Sequence, residues 1–219
     1  MAMTVASAIQ TVRYQFYEST AAFLADDEIR QYLWDGECDL SRQVGCNEVV
    51  TSITTVTSTQ ESTYTSTVEM IKRVTYDGDR LHKIDFRDLD SLDSDGTSSD
   101  ASTGDPTHYY TYGNNTIGFW PVPTTSATVK IWGNGAPTQI TSSISAFTIP
   151  GQFHNYLPDY ALYRAYLKDQ DDGRSKMHLD LWERNKSKAQ AEWNKRKNGD
   201  KINVVKDEYT MASSQLGPI

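Results

Sequence analysis

The chain has 219 residues, which suits one large domain or one core carrying an insertion. Hydrophobic residues make up only 37%, yet 5 Trp, 13 Tyr and 6 Phe supply the bulky packing material that a disordered composition lacks. The net charge of -8 repels phosphate, which disfavours sequence-specific nucleic-acid binding, and no window approaches the roughly 18 to 20 apolar residues of a bilayer span.

Residues 1–10 carry neither a basic start nor a long apolar run, so secretion is not expected. Val5, Ala8, Ile9, Val12 and Phe16 follow the spacing of one helical face, with Thr4 as the N-cap. Asp26, Asp27 and Glu28 mark the start of a second helix, predicted from about Asp26 to Gln43, with Ile29, Leu33 and Leu40 on its stripe. Gly36 within it signals close packing, and Gly45 ends it.

From Glu48 the pattern changes to period two with β-branched residues, first through Val49, Val50, Ile53 and Val56, then through Tyr64, Val68, Ile71 and Val74. Asp77-Gly78 predicts a hairpin between Ile71–Tyr76 and Arg80–Ile84. Residues 85–105 carry seven Asp against one basic residue, Arg87, and read as a mobile acidic loop. Strands resume over His108–Tyr112, Thr116–Trp120 and Ala127–Trp132, completing an antiparallel β unit.

Helical spacing returns with Phe153, Tyr156, Leu157, Tyr160, Ala161, Ala165 and Leu167, where Pro158 must lie near the first turn. Asp171-Asp172-Gly173 interrupts it, and a last helix is predicted over Arg174–Lys197. Residues 199–219 read as an extended arm with a short apolar run at Ile202-Asn203-Val204-Val205. The expected class is α+β: a four-helix core from residues 1–47 and 149–198, a central antiparallel β insertion over 48–148, and a C-terminal arm over 199–219.

No P-loop, dinucleotide fingerprint, nucleophile elbow or His-Glu-x-x-His is present. Cys38 and Cys46 have no companion pair, which fits a reduced setting, and none of the four histidines stands at metal-ligand spacing from them, so no metal or cofactor is expected. Asp90, Asp93 and Asp95 resemble an acidic calcium loop but lack the glutamate and flanking helices of an EF-hand. Tyr110, Trp120 and Trp132, with Trp182 and Trp193 in the last helix, are assigned to core and subunit packing. Lys186, Lys188, Lys195, Arg196 and Lys197 are candidates for sequence-blind DNA contact, weighed against a solvated helix face because Glu183, Glu192 and Asp200 interleave with them.

Several stretches together resemble the head-to-tail connector, or adaptor, proteins of tailed bacteriophages. They are Thr4-Val5 with Val12-Arg13-Tyr14, the run Tyr32 to Leu40, the hairpin Ile71 to Leu81, Gly104 to Tyr110 with Phe119-Trp120-Pro121-Val122-Pro123, and Ile149-Pro150-Gly151-Gln152-Phe153-His154 leading into Leu157 to Tyr166. The likeness extends to about Lys197; the tail beyond Asn198 is unmatched, and Pro158 and the Asp-rich loop depart from the pattern.

The resemblance implies a non-enzymatic ring, commonly of twelve copies, under the capsid portal in the virion neck, extending the DNA channel and offering a docking site to tail or nozzle proteins. It implies passing double-stranded DNA without sequence specificity and no membrane partner. Ile202, Val204, Val205, Tyr209 and Leu216 in the arm are the residues expected to contact the portal. Two other readings compete: a tail-side terminator or stopper ring, and a carbohydrate-binding or hydrolytic β module using Asp85, Asp88 or His108.

Overall fold

A computed structural model of the chain describes residues 2–18, 23–65, 67–89 and 102–198. Among the described residues four helices, α1 (Val5–Gln15), α2 (Asp26–Val44), α3 (Leu157–Lys168) and α4 (Asp172–Asn198), flank ten strands. The chain is therefore α+β, with two helices on either side of a central sheet region in sequence. Residues 90–101 of the expected acidic loop and the arm over 199–219, with Ile202, Val204, Val205, Tyr209 and Leu216, lie outside the described residues.

Local chemistry sets the helix ends. At α1 the Thr4 hydroxyl accepts from Ser7 N at 3.2 Å while Thr4 N donates to Ser7 Oγ at 2.9 Å, a reciprocal cap that satisfies two otherwise orphan donors. α2 has no side-chain cap; its three first-turn carboxylates oppose the positive helix end instead. Gly45 terminates α2 in the left-handed region at φ 65°, donating to Ser41 O at 2.8 Å. Gly36 is the point where α2 meets α3: a Cβ there would stand 3.0 Å from Tyr160 Cβ.

The predicted third helix divides into a 3-10 turn, Gly151–Tyr156, followed by α3, with Pro158 in its first turn, where no intrahelical donor is lost. The reversal before α4 sits earlier than predicted. Gln170 takes a left-handed φ of 61° and Asp171 Oδ1 accepts from Arg174 N at 3.0 Å, so α4 starts at Asp172 with Gly173 inside it.

The strands are β1 (Glu48–Thr54), β2 (Glu61–Thr63), β3 (Val68–Tyr76), β4 (Asp79–Arg80), β5 (His82–Lys83), β6 (Thr103–Gly104), β7 (His108–Tyr112), β8 (Thr116–Trp120), β9 (Val122–Pro123) and β10 (Thr128–Gly135). Sheet A has the order β1-β10-β3-β4 and sheet B the order β2-β8-β7-β5. The Asp77-Gly78 hairpin is present, with φ of 47° and 98° at its two central residues and Tyr76 opposite Asp79.

The expected single strand after that hairpin breaks at buried Leu81. Asp79 and Arg80 stay in sheet A while His82 and Lys83 join sheet B beside β7, in parallel. The β6–β9 pair is also parallel, so the region is antiparallel with two short parallel additions.

Two hydrophobic cores result. Val5, Ile9, Ile29, Leu33, Leu40, Phe153, Leu157 and Trp182 belong to the helical one; Val74, Tyr109, Ile117, Phe119, Val129 and Ile131 belong to the one between the sheets. Polar ties join the halves: Asn47 Nδ2 donates to Gly135 O at 3.0 Å and Trp34 Nε1 to Pro137 O at 3.3 Å.

Candidate functional site

A groove of about 710 Å³ runs between α2, α3 and α4, lined among others by Trp34, Cys38, Asp39, Tyr160, Trp182 and Lys186. Asp39 Oδ2 accepts from Trp182 Nε1 at 2.9 Å and from Lys186 Nζ at 3.0 Å, and Lys186 also meets Glu183 at 2.7 Å. Burial opposes the lysine's charge, but its hydrogen bonds to Glu183 and Asp39 outweigh that cost and hold its pKa above the usual value. Burial pushes the Cys38 thiol up to about 11, which removes thiolate reactivity at neutral pH.

Lys186, a candidate for DNA contact, is thus enclosed in the groove. Its side chain is 8% exposed and engaged by two carboxylates, and its contact with Asp39 holds α4 to α2. Lys188, Lys195 and Arg196 are exposed on α4, with the Arg196 guanidinium 5.2 Å from the Trp193 ring centre; the Lys197 side chain lies outside the described residues.

The aromatic residues assigned to packing divide in a similar way. Trp182 and Trp193 are buried in the helical core and Tyr110 is buried in the β half, so these three pack within the chain itself. Trp120 and Trp132 remain half-buried, Trp120 beside His108 and Trp132 beneath Arg73.

The outer face of sheet A follows from its register. Val50 lies opposite Trp132 and Trp132 opposite Arg73; Ser52 lies opposite Lys130 and Lys130 opposite Thr75. Side chains directly opposite in an antiparallel pair share a face. That face exposes Val50 and, one bulge further along, Met70, each at 59%. Arg73 and Lys130 stand on it, and neither makes an ion pair among the described residues.

A second surface lies where α1 and α3 end and α2 and α4 begin. Tyr166 Oη donates to Gln15 O at 3.0 Å, Phe16 packs on Phe23 and Tyr166, and Lys168 Nζ donates to Phe23 O at 3.0 Å, which draws the four helix ends together. Tyr14 at 84% and Tyr17 at 87% project from this tip, with Phe23, Leu167 and Met177 also exposed. Tyr17 sits in the left-handed region at φ 59°, a conformation that is costly for a bulky residue. The resemblance quoted Tyr14 only as part of a helix, and sequence reading did not mark either tyrosine as an exposed site.

Buried polar groups tie the helical core to residues 145–151. Glu37 is fully buried and accepts from Thr148 N and Ile149 N, the latter at 2.9 Å. Desolvation raises its pKa despite these two donors and the nearby His154. His154 bridges Met3 O and Ile149 O, each at 2.8 Å, fixing the start of the described chain against the segment that leads into α3. A Cβ on Gly151 would meet Ala2 Cβ at 2.9 Å, which accounts for the glycine in that stretch.

The three residues of the hydrolytic reading serve local structure. Asp85 Oδ1 accepts from Arg87 N at 3.0 Å, Asp88 N donates to Asp85 O at 3.0 Å, and His108 Nδ1 lies 2.9 Å from the Thr107 hydroxyl. Among the described residues no group of three or more His, Cys, Asp or Glu side chains is placed to hold a metal ion, and no helix is long and apolar enough to cross a membrane.

Buried charges fasten one segment to another, and aromatic and cationic side chains remain exposed on two faces. The chain belongs to the SU10 adaptor protein family, a family of phage head-to-tail adaptors, whose model matches residues 3–203. No curated protein matches it.

Proposed function

We propose that this chain forms a ring, of twelve copies in the arrangement common to such adaptors, beneath the portal at the neck of a tailed-phage virion. The ring extends the DNA channel and presents the docking site for tail or nozzle proteins. The observation that carries this reading is the family match over residues 3–203, which spans both the helices and the intervening sheets. The net charge of -8 supports it, because a conduit must pass a polyanion without retaining it. Lys188, Lys195 and Arg196, exposed on α4, are the cations available for transient, sequence-blind contact with the passing duplex.

In this reading residues 1–47 and 149–198 form the helical core, 48–148 the β insertion, and 199–219 an arm that docks on the portal through Ile202, Val204, Val205, Tyr209 and Leu216. The test is particle mass and negative-stain imaging of the purified chain, alone and mixed with the portal protein of the same phage. A ring on the portal that is lost on deleting residues 200–219 is the expected result. A chain that ignores the portal but caps tail tubes would replace the reading with a tail-side terminator ring.

A further inference from the structure

We infer that neighbouring subunits join head to tail, the helical tip of one copy carrying Tyr14, Tyr17 and Met177 docking on the outer face of sheet A of the next, with its Val50, Met70 and Trp132. This rests on the ring reading above and names the two surfaces that close the ring.

A cyclic assembly needs two different, complementary patches on each subunit, because a self-complementary patch stops at a dimer. The tip and the sheet face are two such patches, one on the helical half and one on the β half. The tip exposes Tyr14, Tyr17, Phe23, Leu167 and Met177, and the sheet face exposes Val50 and Met70 around a half-buried Trp132. Tyr and Trp are enriched at protein interfaces, where they bury much area at small entropic cost. Tyr17 is held out at 87% exposure by the left-handed turn that ends α1, where Glu18 N donates to Arg13 O at 3.0 Å and Tyr17 N to Tyr14 O at 3.3 Å, so the helix terminus itself fixes the direction of the ring.

Charge makes the pairing directional. At the tip, Asp169 and Asp172 flank the turn between α3 and α4, next to exposed Leu167 and Met177, and neither makes an ion pair among the described residues. Neighbouring carboxylates at that end are already engaged: Asp26 by Arg13, Glu28 by Lys168 and Asp171 by Arg174. On sheet A neither Arg73 nor Lys130 makes an ion pair among the described residues, although Asp77 lines the same hollow, and the Arg73 guanidinium stacks on Trp132. Beside the tip two unmatched carboxylates outnumber one unmatched cation, Lys176, while the sheet face carries two unmatched cations, an excess of opposite sign on each patch that favours tip against sheet over sheet against sheet.

Sedimentation velocity of the full chain over a concentration series, at low and high salt, tests the contact. Wild type should associate, and more weakly as salt rises. Arg73→Glu with Lys130→Glu should weaken association by about tenfold or more, as should Asp169→Lys with Asp172→Lys, while the four changes combined should recover most of it. All four substituted positions are exposed, and unchanged far-ultraviolet circular dichroism confirms that each variant is folded; Lys130→Glu alone serves where Arg73 proves to matter for the sheet. Rings that form equally well from either double variant, or a combined variant that does not recover, overturn the contact and leave the ring reading standing. A wild-type chain that stays monomeric overturns this contact as a self-sufficient interface, and the ring reading is then decided by imaging with the portal.

Discussion

Lys186 on α4 lies 3.0 Å from Asp39 on α2, a contact spanning 147 positions of sequence, and Trp182 donates to the same carboxylate oxygen at 2.9 Å. Removing the acceptor strands the Trp182 indole N–H and leaves Lys186, a cation whose side chain is only 8% exposed, with Glu183 as its one remaining carboxylate. Asp39→Ala should therefore destabilise the fold by about 1–2 kcal/mol; the partial exposure of Asp39 and the remaining Glu183 contact keep the loss below that of a fully buried pair. Urea unfolding should show a lower midpoint with an unchanged slope. Lys186→Met should cost less, since a linear apolar chain keeps the packing against Trp182 and leaves no buried charge.

Glu37 gives the stability a distinctive pH dependence. Its folded pKa is raised, so the fold binds that proton more tightly than the unfolded chain does. The associated stability is complete below the ordinary carboxylate pKa of about 4.3 and is lost as pH rises through the elevated folded value. Glu28, held below its usual pKa by Lys168 and Tyr32 against a desolvation cost, contributes in the opposite direction. Comparing melting temperatures of wild type and Glu37→Gln between about pH 4 and 7 isolates the first effect: wild type should lose stability relative to the variant as pH rises. Parallel curves would remove Glu37 from the account.

Gly118 on β8 faces Tyr110 on β7, and a Cβ there would fall 2.0 Å from the tyrosine ring. The ring is fully buried, and its hydroxyl donates to Glu61 at 3.3 Å. Gly118→Ala should displace it and cost about 1–3 kcal/mol, the range for overpacking. The near-ultraviolet circular dichroism of the aromatic side chains should change in the same variant, as the Tyr110 ring leaves its fixed packing.

Tyr17→Gly separates stability from assembly. Glycine accepts φ 59° without strain, so thermal unfolding of the subunit should be unchanged or shifted upward, by no more than about 1 kcal/mol. Self-association should fall at the same time, because the exposed ring is gone. A variant that loses stability and keeps association would contradict both halves of the prediction.

Much of the fold was legible because its signals are local. Four helices, the Asp77-Gly78 hairpin, the closure at Gly45 and the close packing at Gly36 each follow from a few adjacent residues, and each is present. The α4 start moved because the Asp171 cap outweighs the helix-breaking tendency of Gly173. The sheet exchange at Leu81 was illegible, since it depends on β7 lying beside His82, 26 residues further on in the register His82↔His108. Lys186 misled for the same reason: a lysine in a basic run looks solvated until Asp39 arrives from another helix. The row Val50, Trp132 and Arg73 becomes readable only once β1, β10 and β3 are known to be neighbours.

The pairing of β1 with β10 has a consequence for how the chain reaches this arrangement. Glu48, just after α2, lies opposite Asn134, so the first and last strands of sheet A meet at the base of the β half. Joining two points so far apart costs roughly 4 kcal/mol of loop-closure entropy before any helix of the first pair touches one of the second. Once that ladder has formed, the two helix pairs are held at short range and meet almost as neighbours in sequence would. Sheet A is thereby a clasp, and loosening it should slow the docking of α1 and α2 onto α3 and α4 more than it alters any contact between them.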